Sequence, residues 1–143
     1  MKDLYLPRSI EPVLKRAAAE FPVVVLTGPR QSGKTTLLKH LFSATHAYVS
    51  LEPPDVRTAA ELDPRGFLQM HPAPVILDEV QYVPSLLPYI KEGVDNNRSR
   101  SGQYLLTGSQ NLLLLFLIVV HYTRLNLILL LLLRALSIFQ IVI

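Results

Sequence analysis

Cysteine is absent from the 143 residues, which excludes a disulfide framework and any cysteine-based metal site or nucleophile. That absence suits a reducing cytoplasm, the compartment expected for this chain. Charge is sparse at 17% of residues, and a net charge of +3 is too small to argue for nucleic acid. The six tyrosines are scattered and no basic stripe runs between them, so no direct nucleic-acid role is read. His40, His46, His71 and His121 lack metal-ligand spacing and are expected in surface or core roles. The N-terminal stretch MKDLYLPRSIEPVL has an acid at position 3, prolines at 7 and 12, and no apolar core of a signal peptide. No repeat recurs at periods of 20 to 50 residues.

Half of the chain is hydrophobic, which excludes a disordered polymer, and its length suits one domain. The apolar residues are unevenly spread. All 11 acids lie within residues 1–111, together with most of the bases. Residues 112–143 hold 13 leucines, no acid, and only Arg124 and Arg134 as charges. The expected organisation is therefore a core over 1–111 and a hydrophobic tail over 112–143.

Within the core, apolar β-branched runs alternate with helical patterns. Ser9 is a helix-cap candidate, followed by Glu11, Pro12 and a helical VLKRAAAEF that Pro22 ends. VVVL (23–26) reads as a strand buried on both faces, and KTTLLKHLF (34–42) as a helix. AYVSL (47–51) is a second strand, PDVRTAAEL a helix, and Asp63-Pro64 opens a short helix through Gln69. VIL (75–77), the helical SLLPYIKEGVDNN and the strand in QYLLTGS complete the order. Strands alternating with helices predict an α/β domain with a mostly parallel sheet and flanking helices.

GPRQSGKT (28–35) lies between the first strand and a helix, the setting a phosphate-binding loop requires. Gly28 and Gly33 allow the backbone to curl so that amide hydrogens point at phosphate oxygens. The helix start adds free amides and the positive end of its dipole. The stretch Gly28, Pro29, Arg30, Gln31, Ser32, Gly33, Lys34, Thr35 and Thr36 is the expected ATP-binding segment. Lys34 is placed to reach the β- and γ-phosphates, Thr35 to ligate magnesium, and Thr36 to bond near the α-phosphate.

PVILDEV (74–80) is an apolar strand ending in two acids. The carboxyl end of such a strand lies beside the phosphate loop in a parallel sheet. Asp78 is then a magnesium residue, and Glu79 a base for the water that attacks the γ-phosphate. Thr107, Ser109 and Gln110 follow another apolar strand, where a polar side chain can touch the γ-phosphate or the water. A plain strand-to-loop turn accounts for them equally well.

GPRQSGKTTL, YVSLE with PDVR and DPRGFL, VILDEVQ, and GQYLLTGSQ occur in that order over about residues 6–115. This set resembles the prokaryotic AAA-type ATP-binding proteins in which an ATPase domain precedes a C-terminal domain of unknown function. The resemblance implies a P-loop NTPase core, with ATP and magnesium as cofactors. It implies that Lys34 and Thr35 serve phosphate and magnesium, that Asp78 and Glu79 are the metal and catalytic acids, and that Ser109 is the polar sensor. Arginine fingers in such ATPases usually come from a neighbouring subunit, which leaves a homo-oligomer open. Arg98, Arg100 and Arg124 are read as surface charge and not as fingers.

Nothing after Leu115 looks like that family, so the core is expected to be incomplete at its C-terminus. Three readings of the tail compete: an out-of-frame or non-native end, a hydrophobic hairpin or membrane segment, and a last strand of the sheet. The abrupt end of the pattern favours the first. A membrane span needs about 20 mostly apolar residues, and any such window here contains Arg124 or Arg134. The expected function is ATP binding with magnesium-dependent hydrolysis. The alternatives are a non-catalytic remnant and a small-molecule kinase. The acid pair argues against the kinase, since a hydroxyl acceptor needs no such base at that place.

Overall fold

In the computed structural model, residues 5–108 are described, together with the backbone of residues 140–142. The helices are α1 (Glu11–Glu20), α2 (Lys34–Phe42), α3 (Pro54–Leu62), α4 (Pro64–Met70) and α5 (Leu87–Asn96). The strands are β1 (Val23–Thr27), β2 (Ala47–Ser50), β3 (Val75–Asp78), β4 (Tyr104–Gly108) and β5 (Gln140–Val142). They form one sheet in the order β2-β3-β4-β1-β5. The first four are mutually parallel, and β5 runs antiparallel to β1. The tail thus contributes an edge strand, with Leu26 opposite Ile141.

The short apolar runs become central strands because successive side chains leave a strand on opposite faces. Val25, Leu77 and Leu106 enter one core with α3, α4 and α5, around Ala60, Phe67, Leu87 and Ile90. Val24, Leu26, Ile76 and Leu105 enter the other, against Leu14 and Ala17 of α1 and Leu37 and Leu38 of α2. The sheet is therefore covered by helices on both sides, an α/β core of the P-loop type. α5 meets it through residues three or four apart, Leu87, Ile90 and Val94. Truncating a buried leucine in such a core to alanine costs about 2–5 kcal/mol.

Two local expectations change. Ser9 does not cap α1: the cap position is Ile10, with no side-chain cap bond. Glu11 caps no helix amide either; its carboxylate reaches back to the preceding segment, accepting from the Arg8 backbone N–H at 2.8 Å and from the Tyr5 hydroxyl at 2.6 Å. This acid at the start of the helix also complements the dipole. The stretch read as one helix from Ser85 instead begins in a 3-10 turn, Pro84–Leu86, which follows another at Val80–Tyr82. Regular helix starts only at Leu87, and Pro88 falls in its first turn, where a missing N–H breaks no bond.

The histidines of the described residues have packing roles. His40 stacks on Tyr5 at 3.6 Å between ring centroids, and His71 lies 4.7 Å from Phe67. His46 packs edge-on against Phe42 and bonds the Gly102 carbonyl through Nε2 at 2.8 Å. His121 lies outside the described residues. Burial holds the His46 imidazole below its ordinary 6.5, and the Gly102 carbonyl opposes that shift in part. On acidification the unfolded chain takes up this proton first, so the folded state loses stability as pH falls below about 6.5. The melting temperature is expected to drop between about pH 7 and about pH 5. In His46→Gln the drop should be shallower, and equal slopes in the two proteins would refute this assignment.

Candidate active site

The parallel strands all deliver their carboxyl ends to one edge of the sheet. β1 runs into the loop 28–33, β3 ends at Asp78, and β4, lying between them, brings Thr107 to the same edge. The loop closes on itself around Lys34, whose side chain is buried at 4% exposure. Its ammonium donates to the carbonyls of Gly28 at 3.1 Å and Pro29 at 2.7 Å, and lies 3.5 Å from Ser32 Oγ. Ser32 Oγ donates in turn to the Pro29 carbonyl at 2.6 Å.

Among the described residues the left-handed backbone of the loop falls at Gln31 (φ 57°) and Gly33 (φ 78°), not at Gly28. Two features favour glycine at position 33, its backbone angle foremost. Its backbone angle disfavours a side chain, and an added Cβ would lie 2.4 Å from Arg8 Nη2. Arg8 donates through Nη1 to the Ser32 carbonyl at 2.8 Å, so the segment before α1 braces the loop. Gly33 is also the cap position of α2 and offers no side-chain acceptor, which leaves the first amides of the helix for another partner. Thr36 lies in this first turn and is exposed.

Asp78, only 5% exposed, is the hub of the site. One carboxylate oxygen accepts from Thr35 Oγ1 at 2.8 Å and from the Thr107 hydroxyl. The other accepts from the Tyr48 hydroxyl at 2.8 Å. Burial, reinforced by the bond to Asp78 and by its charge, pushes the Tyr48 hydroxyl up to about 12. Tyr48 therefore remains a donor throughout the neutral range. Lys39 lies over the same ring, 3.5 Å from its centre.

Glu79 adopts a left-handed conformation (φ 59°) unusual for a residue with a side chain, at a cost of about 1–3 kcal/mol. Two contacts hold it there. Its backbone N–H donates to Thr107 Oγ1 at 3.0 Å, and its carboxylate accepts from the Gln81 amide. Thr107 thus joins the two acids. Ser109 and Gln110, the other sensor residues expected from the sequence, lie outside the described residues. Arg30 donates to the Tyr82 hydroxyl, and Arg57 covers the Tyr82 ring at 3.7 Å.

The donors suit a magnesium–nucleotide complex. The ammonium of Lys34 and the uncapped start of α2 face a common loop, and a hydroxyl and a carboxylate meet beside it. Magnesium is held by few protein ligands and mostly by phosphate and water. No cluster of three or more His, Cys, Asp or Glu side chains occurs among the described residues, so an all-protein metal cage does not arise there. No helix of the described residues is long and apolar enough to cross a membrane.

Sheet, loop and acidic edge define an AAA-type P-loop domain. The chain belongs to the AAA domain family, whose model matches residues 20–122. It is 40% identical over 83 residues to the uncharacterized protein Mb2031c of Mycobacterium bovis and to the uncharacterized protein Rv2008c of Mycobacterium tuberculosis. The aligned segment is 57% of this chain and 19% of each relative. No solved structure matches the chain.

Proposed function

We propose that the chain binds ATP with magnesium at residues 28–36 and hydrolyses it, with Glu79 activating the water. The observation that supports this most strongly is the bond between Thr35 and Asp78, made across the sheet edge beside the buried Lys34. A hydroxyl, a carboxylate and an ammonium sharing one glycine-turned loop are the parts a nucleoside triphosphate needs.

In this reading Lys34 exchanges the loop carbonyls for β- and γ-phosphate oxygens, and the amides from Gly33 into α2 bond the phosphates. Thr35 and Asp78 hold the magnesium, which when bound neutralises charge developing on the transferred phosphoryl group. Glu79 takes a proton from the attacking water. Ser109 is read as the polar sensor, with Thr107, which bonds the Asp78 carboxylate and the Glu79 backbone N–H, as the other candidate. A homo-oligomer in the cytoplasm, with a neighbouring copy supplying an arginine, belongs to the same reading.

Titrating magnesium-ATP into the chain by calorimetry should give saturable binding at one site. No binding would refute the proposal. Saturable binding without phosphate release would instead favour a nucleotide-binding module without turnover.

A further inference from the structure

We propose that Gln81 is a positioning residue for hydrolysis, setting the direction of the Glu79 carboxylate through one amide hydrogen bond. The inference rests on the reading of Glu79 as the base.

Gln81 donates through Nε2 to Glu79 Oε2, two residues before it. A carboxylate only accepts, so the amide nitrogen must be the atom that faces it. That choice leaves Gln81 Oε1 on the other side. This oxygen is buried and has no hydrogen-bond partner. A buried carbonyl without a donor is unfavourable for folding. Stability alone would favour an apolar side chain of the same length here.

The backbone at Glu79 points the same way. Its left-handed φ of 59° is unfavourable for a residue with a Cβ, and the Thr107 hydroxyl holds its N–H. The main chain is thereby fixed, while the carboxylate is still free to rotate about its side-chain bonds. Gln81 removes that freedom. The turn that carries it is itself anchored: Tyr82, the next residue, accepts from Arg30 of the phosphate loop and lies under Arg57. Arg57 is tied in turn to the carbonyls of Leu51 at 2.9 Å and Glu52 at 2.7 Å. The carboxylate is thus registered against the loop through a turn bonded to both.

The test compares Gln81→Met, Gln81→Glu and Glu79→Gln in the full chain. Gln81→Met keeps the shape and removes both the donor and the orphaned oxygen. It should lower kcat for phosphate release about tenfold or more, because a small misplacement of a reacting group is enough for that. KM for ATP and the calorimetric affinity should stay within about twofold, since no phosphate contact is lost. The melting temperature should be unchanged or higher. Gln81→Glu sets a second carboxylate against the first and should lower kcat in the same way, which covers the case of a poorly folded Met variant. Wild-type kcat in both variants would overturn the inference, as would a fall in kcat matched by lower melting temperature and weaker ATP binding. Glu79→Gln separates the two ideas. If it abolishes turnover while the Gln81 variants stay active, only the role of Gln81 fails. If it leaves turnover intact, the reading of Glu79 fails.

Discussion

Lys34→Ala is expected to weaken magnesium-ATP binding by about a hundredfold or more. The ammonium is the buried cation of the described residues, and it already sits inside the loop, bonded to Gly28 and Pro29 carbonyls. Exchanging these for phosphate oxygens replaces neutral acceptors with charged ones, and charge-assisted bonds are roughly twice as strong. Losing about 3 kcal/mol at such a site corresponds to roughly a hundredfold in affinity. Alanine also removes the buried stem that fills the loop, so part of its effect is lost packing. Lys34→Met removes the ammonium, and with it both the charge and the donor, but keeps the stem packed. Calorimetry should show the same loss for both, with melting temperatures near that of the wild type for Met. Undiminished affinity in the Met variant would remove Lys34 from the site.

Glu79→Gln is expected to abolish phosphate release almost entirely while ATP binding is kept. General-base catalysis contributes about a hundredfold to ten-thousandfold in rate, so the residual rate should fall within that range. The substitution changes one oxygen to an amide nitrogen. The remaining carbonyl still accepts from Gln81, and the backbone bond to Thr107 is untouched. Binding should stay within about twofold of wild type because Glu79 contacts no phosphate in this account. Single-turnover assays read the chemical step directly. A wild-type rate in this variant would mean that another group activates the water.

The local chemistry of the site could be read from the sequence because it sits in contiguous motifs. A glycine loop between a β-branched strand and a helix, and an apolar strand ending in two acids, are visible within a few residues. The structure adds how they meet: Thr35 and Asp78 are adjacent only because both β1 and β3 end at the same edge of the sheet. Residues whose role depends on distant contacts were not visible. Tyr48 bonds a carboxylate 30 positions away, and Arg8 braces a carbonyl 24 positions away. Neither carries a local signal, since one is an ordinary strand tyrosine and the other precedes a helix.

Conformation was harder to read than composition. The left-handed turns at Gln31 and Glu79 fall on residues that do not advertise them, while Gly28 has no positive φ. Ser9 was a reasonable cap by residue type. The helix begins two positions later with no side-chain cap, and Glu11 holds the preceding segment instead by accepting from Arg8 and Tyr5. Strand order was also beyond local pattern, because a parallel crossover leaves no mark in the residues that make it. The fifth strand, Gln140–Val142, comes from the tail, for which a last strand of the sheet is one of three readings and not the favoured one.

The most direct measurement is phosphate release from ATP by the intact chain, with magnesium and again with the metal chelated. Release that needs magnesium and stops when it is removed is the predicted result. No release under either condition, or release indifferent to chelation, would contradict the assignment of Thr35, Asp78 and Glu79 to magnesium-dependent hydrolysis.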